Sequence, residues 1–139
     1  MSETSNGAVT GAPCVILRLE GLVVMAAAVA AFYMLGGSWV MFALLFLIPD
    51  LSMLGYLAGP KVGAIGYNIG HSYLGPALLA GLSLVQGDHL LSQLAAIWVA
   101  HIGFDRMLGY GLKYGVAFGH THLGLKGKAA KAAEKPLPA

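Results

Sequence analysis

Charge is what this chain has least of. Lys, Arg, Asp and Glu make up 10% of its 139 residues, against 58% hydrophobic ones, where a soluble domain carries roughly a quarter charged residues. So few charges cannot cover a water-facing surface, which excludes a soluble globular enzyme and implies a single-domain integral membrane protein. Cysteine is nearly missing too: a lone Cys14 rules out an internal disulfide and a cysteine-built zinc site. No Gly-x-Ser-x-Gly, P-loop or dinucleotide-binding motif is present, so nucleophile-elbow and nucleotide chemistries have no foothold. Met1 to Pro13 hold no Lys or Arg, so the basic start of a cleaved signal peptide is missing and the first apolar run is expected to be a retained helix.

What is present is four apolar runs, about 17–35, 39–58, 62–86 and 90–112, each near the ~20 residues that a membrane span requires. Short turn-forming breaks separate them: Gly36-Gly37-Ser38, Gly59-Pro60-Lys61 and Gly87-Asp88. The pattern predicts an all-α membrane protein, a four-helix up-and-down transmembrane bundle over residues 15–125. A disordered N-terminal tail (1–14) and a basic disordered C-terminal tail (126–139) flank it. Gly55, Gly59 and Gly63, with Gly66 and Gly70, are spaced to let the second and third spans approach closely. Every Lys and Arg falls toward one side of this arrangement, so both termini are expected in the cytoplasm, with the chain multi-pass in a bacterial inner membrane. The expected partners are the bilayer itself, anionic lipid against the Lys-rich tail, and a further copy or another membrane subunit on the Gly-rich faces. Nucleic acid is not expected, because no basic folded face carries interleaved aromatics.

The polar residues inside the spans converge in depth. Counted from the cytoplasmic ends at ~1.5 Å per residue, Asp50, His71, Asp105 and His101 lie at ~14, ~15, ~12 and ~18 Å. Ionisable groups at such depth mark functional sites by default. Two imidazoles and two carboxylates form a workable ligand set for zinc, iron or manganese, and would equally serve as an acid/base set. Arg106 is the candidate for binding an anionic group of a substrate. Glu20, Asn68, Tyr67 and Tyr73 are candidates for positioning the substrate, and His122 is a further candidate ligand. Three readings stay open: a membrane-embedded metal-dependent or acid/base enzyme acting on a lipophilic small molecule or lipid from the cytoplasmic side, a small proton-coupled transporter, and an accessory subunit whose polar cluster only fixes helix register.

Five phrases in order, Leu17-Arg-Leu-Glu-Gly21, Pro49-Asp-Leu-Ser-Met-Leu-Gly-Tyr56, Tyr67-Asn-Ile-Gly-His-Ser-Tyr73, His101 through Tyr114, and Thr121-His-Leu-Gly124, resemble a family of small bacterial four-span membrane proteins catalogued only as a domain of unknown function. The resemblance covers about residues 15–125 and implies a common membrane fold, with no activity attached. His120 stands where the resembled pattern has Asp, which leaves His122 the better candidate ligand of that segment.

Overall fold

The computed structural model describes residues 7–115, 118–127 and 130. Among them the chain is mostly helical: α1 (Gly11–Met34), α2 (Trp39–Leu45), a 3₁₀ helix (Ile48–Ala58), α3 (Pro60–Gly70), α4 (Leu74–Gln86) and α5 (His89–Leu108). A small antiparallel hairpin of β1 (His120–Thr121) and β2 (Gly124–Leu125) follows. Two stretches, Gly11–Met34 and Trp39–Ala58, are long and apolar enough to cross a membrane. Their large apolar side chains face outward, with Val23, Met34, Leu44 and Leu57 all exposed, while the interior is built largely from small residues and a few polar ones.

The central element is α5. It buries Ala95, Ala96, Ala100 and Gly103, and packs most extensively against α1, then against α4. The closest crossing is backbone on backbone. A Cβ on Gly103 would stand 2.7 Å from the Met25 amide nitrogen and 2.8 Å from the Gly21 carbonyl, so only glycine fits. Of the five glycines singled out from spacing, Gly55, Gly63, Gly66 and Gly70 do the same for the 3₁₀ helix and α3, whereas a Cβ on Gly59 would meet nothing within 4 Å. With three residues per turn, Pro49, Ser52 and Gly55 share one face. A Cβ on Gly70 would meet Ser52 Oγ at 2.8 Å, one on Gly66 the Ser52 carbonyl at 3.2 Å, and one on Gly55 the Gly63 Cα at 3.3 Å.

The third apolar run departs from expectation. Instead of one continuous helix over 62–86, the backbone breaks after Gly70 and restarts at Leu74. Pro76 is the local cause: inside a continuous helix it would have no N–H for the Ser72 carbonyl and its ring would crowd that group, whereas in the first turn of α4 neither cost arises. Trp98 Nε1 donates to the freed Gly70 carbonyl at 2.6 Å, so the break is satisfied from α5.

The N-terminal boundary also differs. Helix α1 starts at Gly11, inside the segment expected to be a disordered tail, and the residues just before it are tied down. Val9 N–H donates to the His122 carbonyl at 2.7 Å, and the Tyr114 hydroxyl donates to the Gly7 carbonyl at 2.8 Å. The expected disorder of residues 1–6 and of nearly all of 126–139 lies outside the described residues.

Candidate metal centre

Each of the four candidate ligands sits where its helix is anchored or interrupted. Asp50 lies in the first turn of the 3₁₀ helix, His71 is the residue at which α3 ends, and His101 and Asp105 are one turn apart on the buried face of α5. They meet. One ligand atom from each of Asp50, His71, His101 and Asp105 can be chosen so that all four lie within 4.8 Å of one another. His71 Nε2 is 3.1 Å from His101 Nε2, 3.3 Å from Asp50 Oδ1 and 3.2 Å from Asp105 Oδ2. His101 Nε2 is 3.4 Å from Asp50 Oδ1 and 3.6 Å from Asp105 Oδ2. A tetrahedral ion held at ~2.0–2.2 Å from its ligands keeps them ~3.3–3.6 Å apart, close to these five separations.

Proton bookkeeping narrows what can fill it. His71 Nδ1 lies 2.9 Å from the Tyr67 carbonyl, which can only accept, so Nδ1 carries a hydrogen and the neutral ring turns its Nε2 lone pair into the cluster. Charging both imidazoles would set two N–H donors against each other across 3.1 Å. Two imidazoles and two carboxylates at these separations could hold one divalent cation. The surroundings orient part of the set as metal sites require, while the buried His101 Nδ1 has no hydrogen-bond partner among the described residues. The Tyr67 hydroxyl donates to Asp105 Oδ2 at 3.2 Å, the Tyr67 ring stacks on His71 at 3.7 Å between centroids, and Phe46 meets His101 edge-on at 5.2 Å. His71 and His101 are buried at 2% and 1% exposure, whereas the Asp50 side chain is 33% exposed, so the cluster opens on Asp50's side.

The other candidates are distributed elsewhere. Asn68 is not at the cluster: it clamps the segment after α5, accepting from Lys113 N–H at 2.7 Å and donating to the Lys113 carbonyl at 2.8 Å. Glu20, a candidate for positioning the substrate, lines a separate cavity of about 240 Å³ with Tyr73, Arg106 and His122. The close α1–α5 crossing at Gly21 and Gly103 leaves its side chain on the outer flank of that contact. His122 is not in the four-ligand group; its Nδ1 accepts from Leu112 N–H at 2.8 Å, and Arg106 Nη1 lies 3.0 Å from its Nε2. Burial and the neighbouring guanidinium hold the His122 imidazole below its ordinary value. Arg106 Nη2 donates to the His71 carbonyl at 3.1 Å, so it steadies a ligand's backbone from behind. A second cavity, about 390 Å³ and almost wholly apolar, is walled by Pro49, Gly70 and Ile97, adjoining Asp50, His71 and the turn before His101.

The family description "Domain of unknown function (DUF4260)" matches residues 14–125 of this sequence. The chain belongs to that family. No curated protein and no solved structure matches it. The match agrees with the resemblance in that the family is described only as a domain of unknown function, and three of the five sequence phrases supply the four candidate ligands of this DUF4260 chain.

One residue of the site escaped the sequence reading. Lys113 was counted only among the charges that set topology, yet in this DUF4260 chain it is 5% exposed. Its Nζ donates to the Phe118 carbonyl at 2.9 Å and lies over the Tyr67 ring at 4.6 Å. The only sequence signal was its place in the phrase that also holds His101 and Asp105. Burial lowers the Lys113 ammonium to about 8 from 10.5, the charges of Asp105 and then Asp50 opposing the shift. Because the folded value is the lower one, the unfolded chain holds this proton more tightly across the window between the two, and stability rises with pH through it. Equilibrium unfolding in detergent between pH 8 and 10.5 is expected to show that rise in the native chain and to lose it in Lys113→Met. A flat native profile would contradict the burial.

Proposed function

We propose that this chain is a four-span protein of a bacterial inner membrane, with α3 and α4 together forming one interrupted span and both termini in the cytoplasm. Its Asp50, His71, His101 and Asp105 hold one divalent metal, and the centre catalyses a metal-dependent or acid/base reaction on a lipophilic small molecule or lipid reached from the cytoplasmic half. The observation that carries the metal is the inward-turned His71 Nε2, with a second imidazole and two carboxylates at 3.1–3.3 Å from it. The apolar exterior and the one-sided Lys and Arg support the membrane reading. Zinc, iron and manganese all suit two nitrogens and two oxygens. Such an ion would polarise a substrate oxygen or lower the pKa of a bound water. Asp50, the most exposed ligand, is the one beside which a substrate group would enter, and Tyr67 holds Asp105 in place by its hydroxyl. The apolar cavity beside Pro49 and Gly70 suits a hydrocarbon portion of the substrate.

A proton-carrier role is less well supported. Outward of His101 the packing is apolar, with Phe32, Ala96 and Ile97 buried together. Among the polar groups beyond them, Ser83, Ser92 and the Asp88 carbonyl close on one another and Gln93 donates to the Leu35 carbonyl instead of continuing a path.

Two measurements test the proposal. Elemental analysis of the purified chain should find one metal ion per molecule, and its absence from every preparation, including one reloaded with zinc, iron and manganese, would end the metal reading. A reporter fused after Ala139 should read cytoplasmic and one inserted at Gly87 periplasmic; the opposite pair of results would overturn the topology.

A further inference from the structure

The cavity of about 240 Å³ between α1, the α3–α4 break and the hairpin holds two opposite charges that do not meet. Arg106 and Glu20 both line it, together with Tyr73 and His122. Among the described residues no ion pair within 4.0 Å joins the two, and the ion pairs present are all His–Asp contacts of the metal cluster. Arg106 spends its described hydrogen bonds on neutral groups, the His71 carbonyl and the His122 ring. None of these is a direct ion pair, so the guanidinium is balanced only at a distance, by the Asp105 carboxylate, and can still take an anionic partner. The Tyr73 hydroxyl and the Glu20 carboxylate make no hydrogen bond to the described residues, and both residues line the same cavity as Arg106. Arg106 lies in the last turn of α5 and Glu20 on the adjoining face of α1, which the proposed topology puts toward the cytoplasmic side of the metal cluster, within reach of a lipid headgroup.

We infer that this cavity binds a zwitterionic phosphoamine headgroup, its phosphate on Arg106 and Tyr73 and its primary ammonium on Glu20. Planar guanidinium matches phosphate oxygens, and a carboxylate matches an ammonium that can still donate hydrogens. A purely anionic headgroup would leave Glu20 facing a like charge, and a quaternary ammonium would offer it no hydrogen bond. The inference rests on the membrane placement proposed above and is independent of whether the cluster holds metal.

The test uses the full chain in nanodiscs of equal phosphatidylethanolamine and phosphatidylglycerol, with retained lipid identified by native mass spectrometry. The native chain should retain the ethanolamine lipid about three- to five-fold over the glycerol lipid, the scale of one exposed ion pair. Glu20→Gln, a change at an exposed position, should erase or reverse that preference, and Arg106→Gln should lower retention of both lipids. Equal retention by the native chain, or an unchanged preference in Glu20→Gln, overturns the inference without touching the metal count. Soluble glycerophosphoethanolamine is then added as competitor. Displacement of the lipid assigns the pocket to a free phosphoamine as well as to a headgroup, and retention assigns it to the membrane lipid; both keep the phosphoamine chemistry.

Discussion

His71→Ala is expected to abolish metal binding, lowering affinity by more than about a hundred-fold, because losses of even the groups that orient a ligand cost about ten- to a hundred-fold. His71 is the hub of the cluster: its Nε2 stands within 3.3 Å of three other ligand atoms, and its Nδ1 is fixed by Tyr67. The neighbouring variants should fall in a graded order. Asp105→Asn, at a side chain 15% exposed, should approach the His71 result, and Asp50→Asn, at 33%, should cost less because water can take its place. Tyr67→Phe removes only the hydroxyl on Asp105 and belongs to the ten- to hundred-fold class. Chelator treatment should also lower the unfolding temperature of the native chain, since it removes what binds the folded state and leaves two carboxylates facing each other. Metal titration by calorimetry, run on variants whose helical content is unchanged, checks the order. Affinities equal to the native value across the series would reduce the cluster to a structural polar network.

Gly103→Ala should destabilise the fold by roughly 1–3 kcal/mol although it adds a single methyl group. The added carbon would lie 2.7 Å from the Met25 amide nitrogen and 2.8 Å from the Gly21 carbonyl, and backbone atoms cannot rotate aside as a side chain can. Since His101 and Asp105 flank Gly103 on α5, pushing α1 and α5 apart should also loosen the metal centre. Gly81→Ala is the matched control: its Cβ would meet nothing within 4 Å, so it should be neutral or stabilise by up to ~1 kcal/mol through helix propensity. Unfolding of both variants in a detergent series gives the comparison, and equal stabilities would contradict the close α1–α5 crossing.

Much of the site was legible because it depends on local spacing and on cost. His101 and Asp105 are four apart on one helix, which places them on one face whatever the tertiary arrangement. Ionisable groups in apolar runs are expensive facing lipid, so Asp50 and His71 pointed to a shared interior before any packing was known. The Gly55–Gly70 series likewise announced a close helix contact, and the 3₁₀ helix and α3 make it. What spacing could not reveal was where helices stop being regular. The break at His71 depends on Pro76 being tolerated in a first turn and on Trp98 reaching the Gly70 carbonyl from another helix.

Composition and periodicity by themselves determined that this chain is helical and strongly apolar, and which four side chains had to find one another, because burial cost and helical repeat are properties of the local sequence. Only the tertiary structure decided that Glu20 and Arg106 face a cavity of their own, that Asn68 serves as a clamp, and that Lys113 is buried against Tyr67 instead of standing in solvent. Those placements follow from the crossing of α1 on α5 at Gly21 and Gly103 and from the fold-back of the hairpin onto the end of α5. Both are contacts between residues far apart in sequence, and neither helical repeat nor hydropathy encodes such contacts.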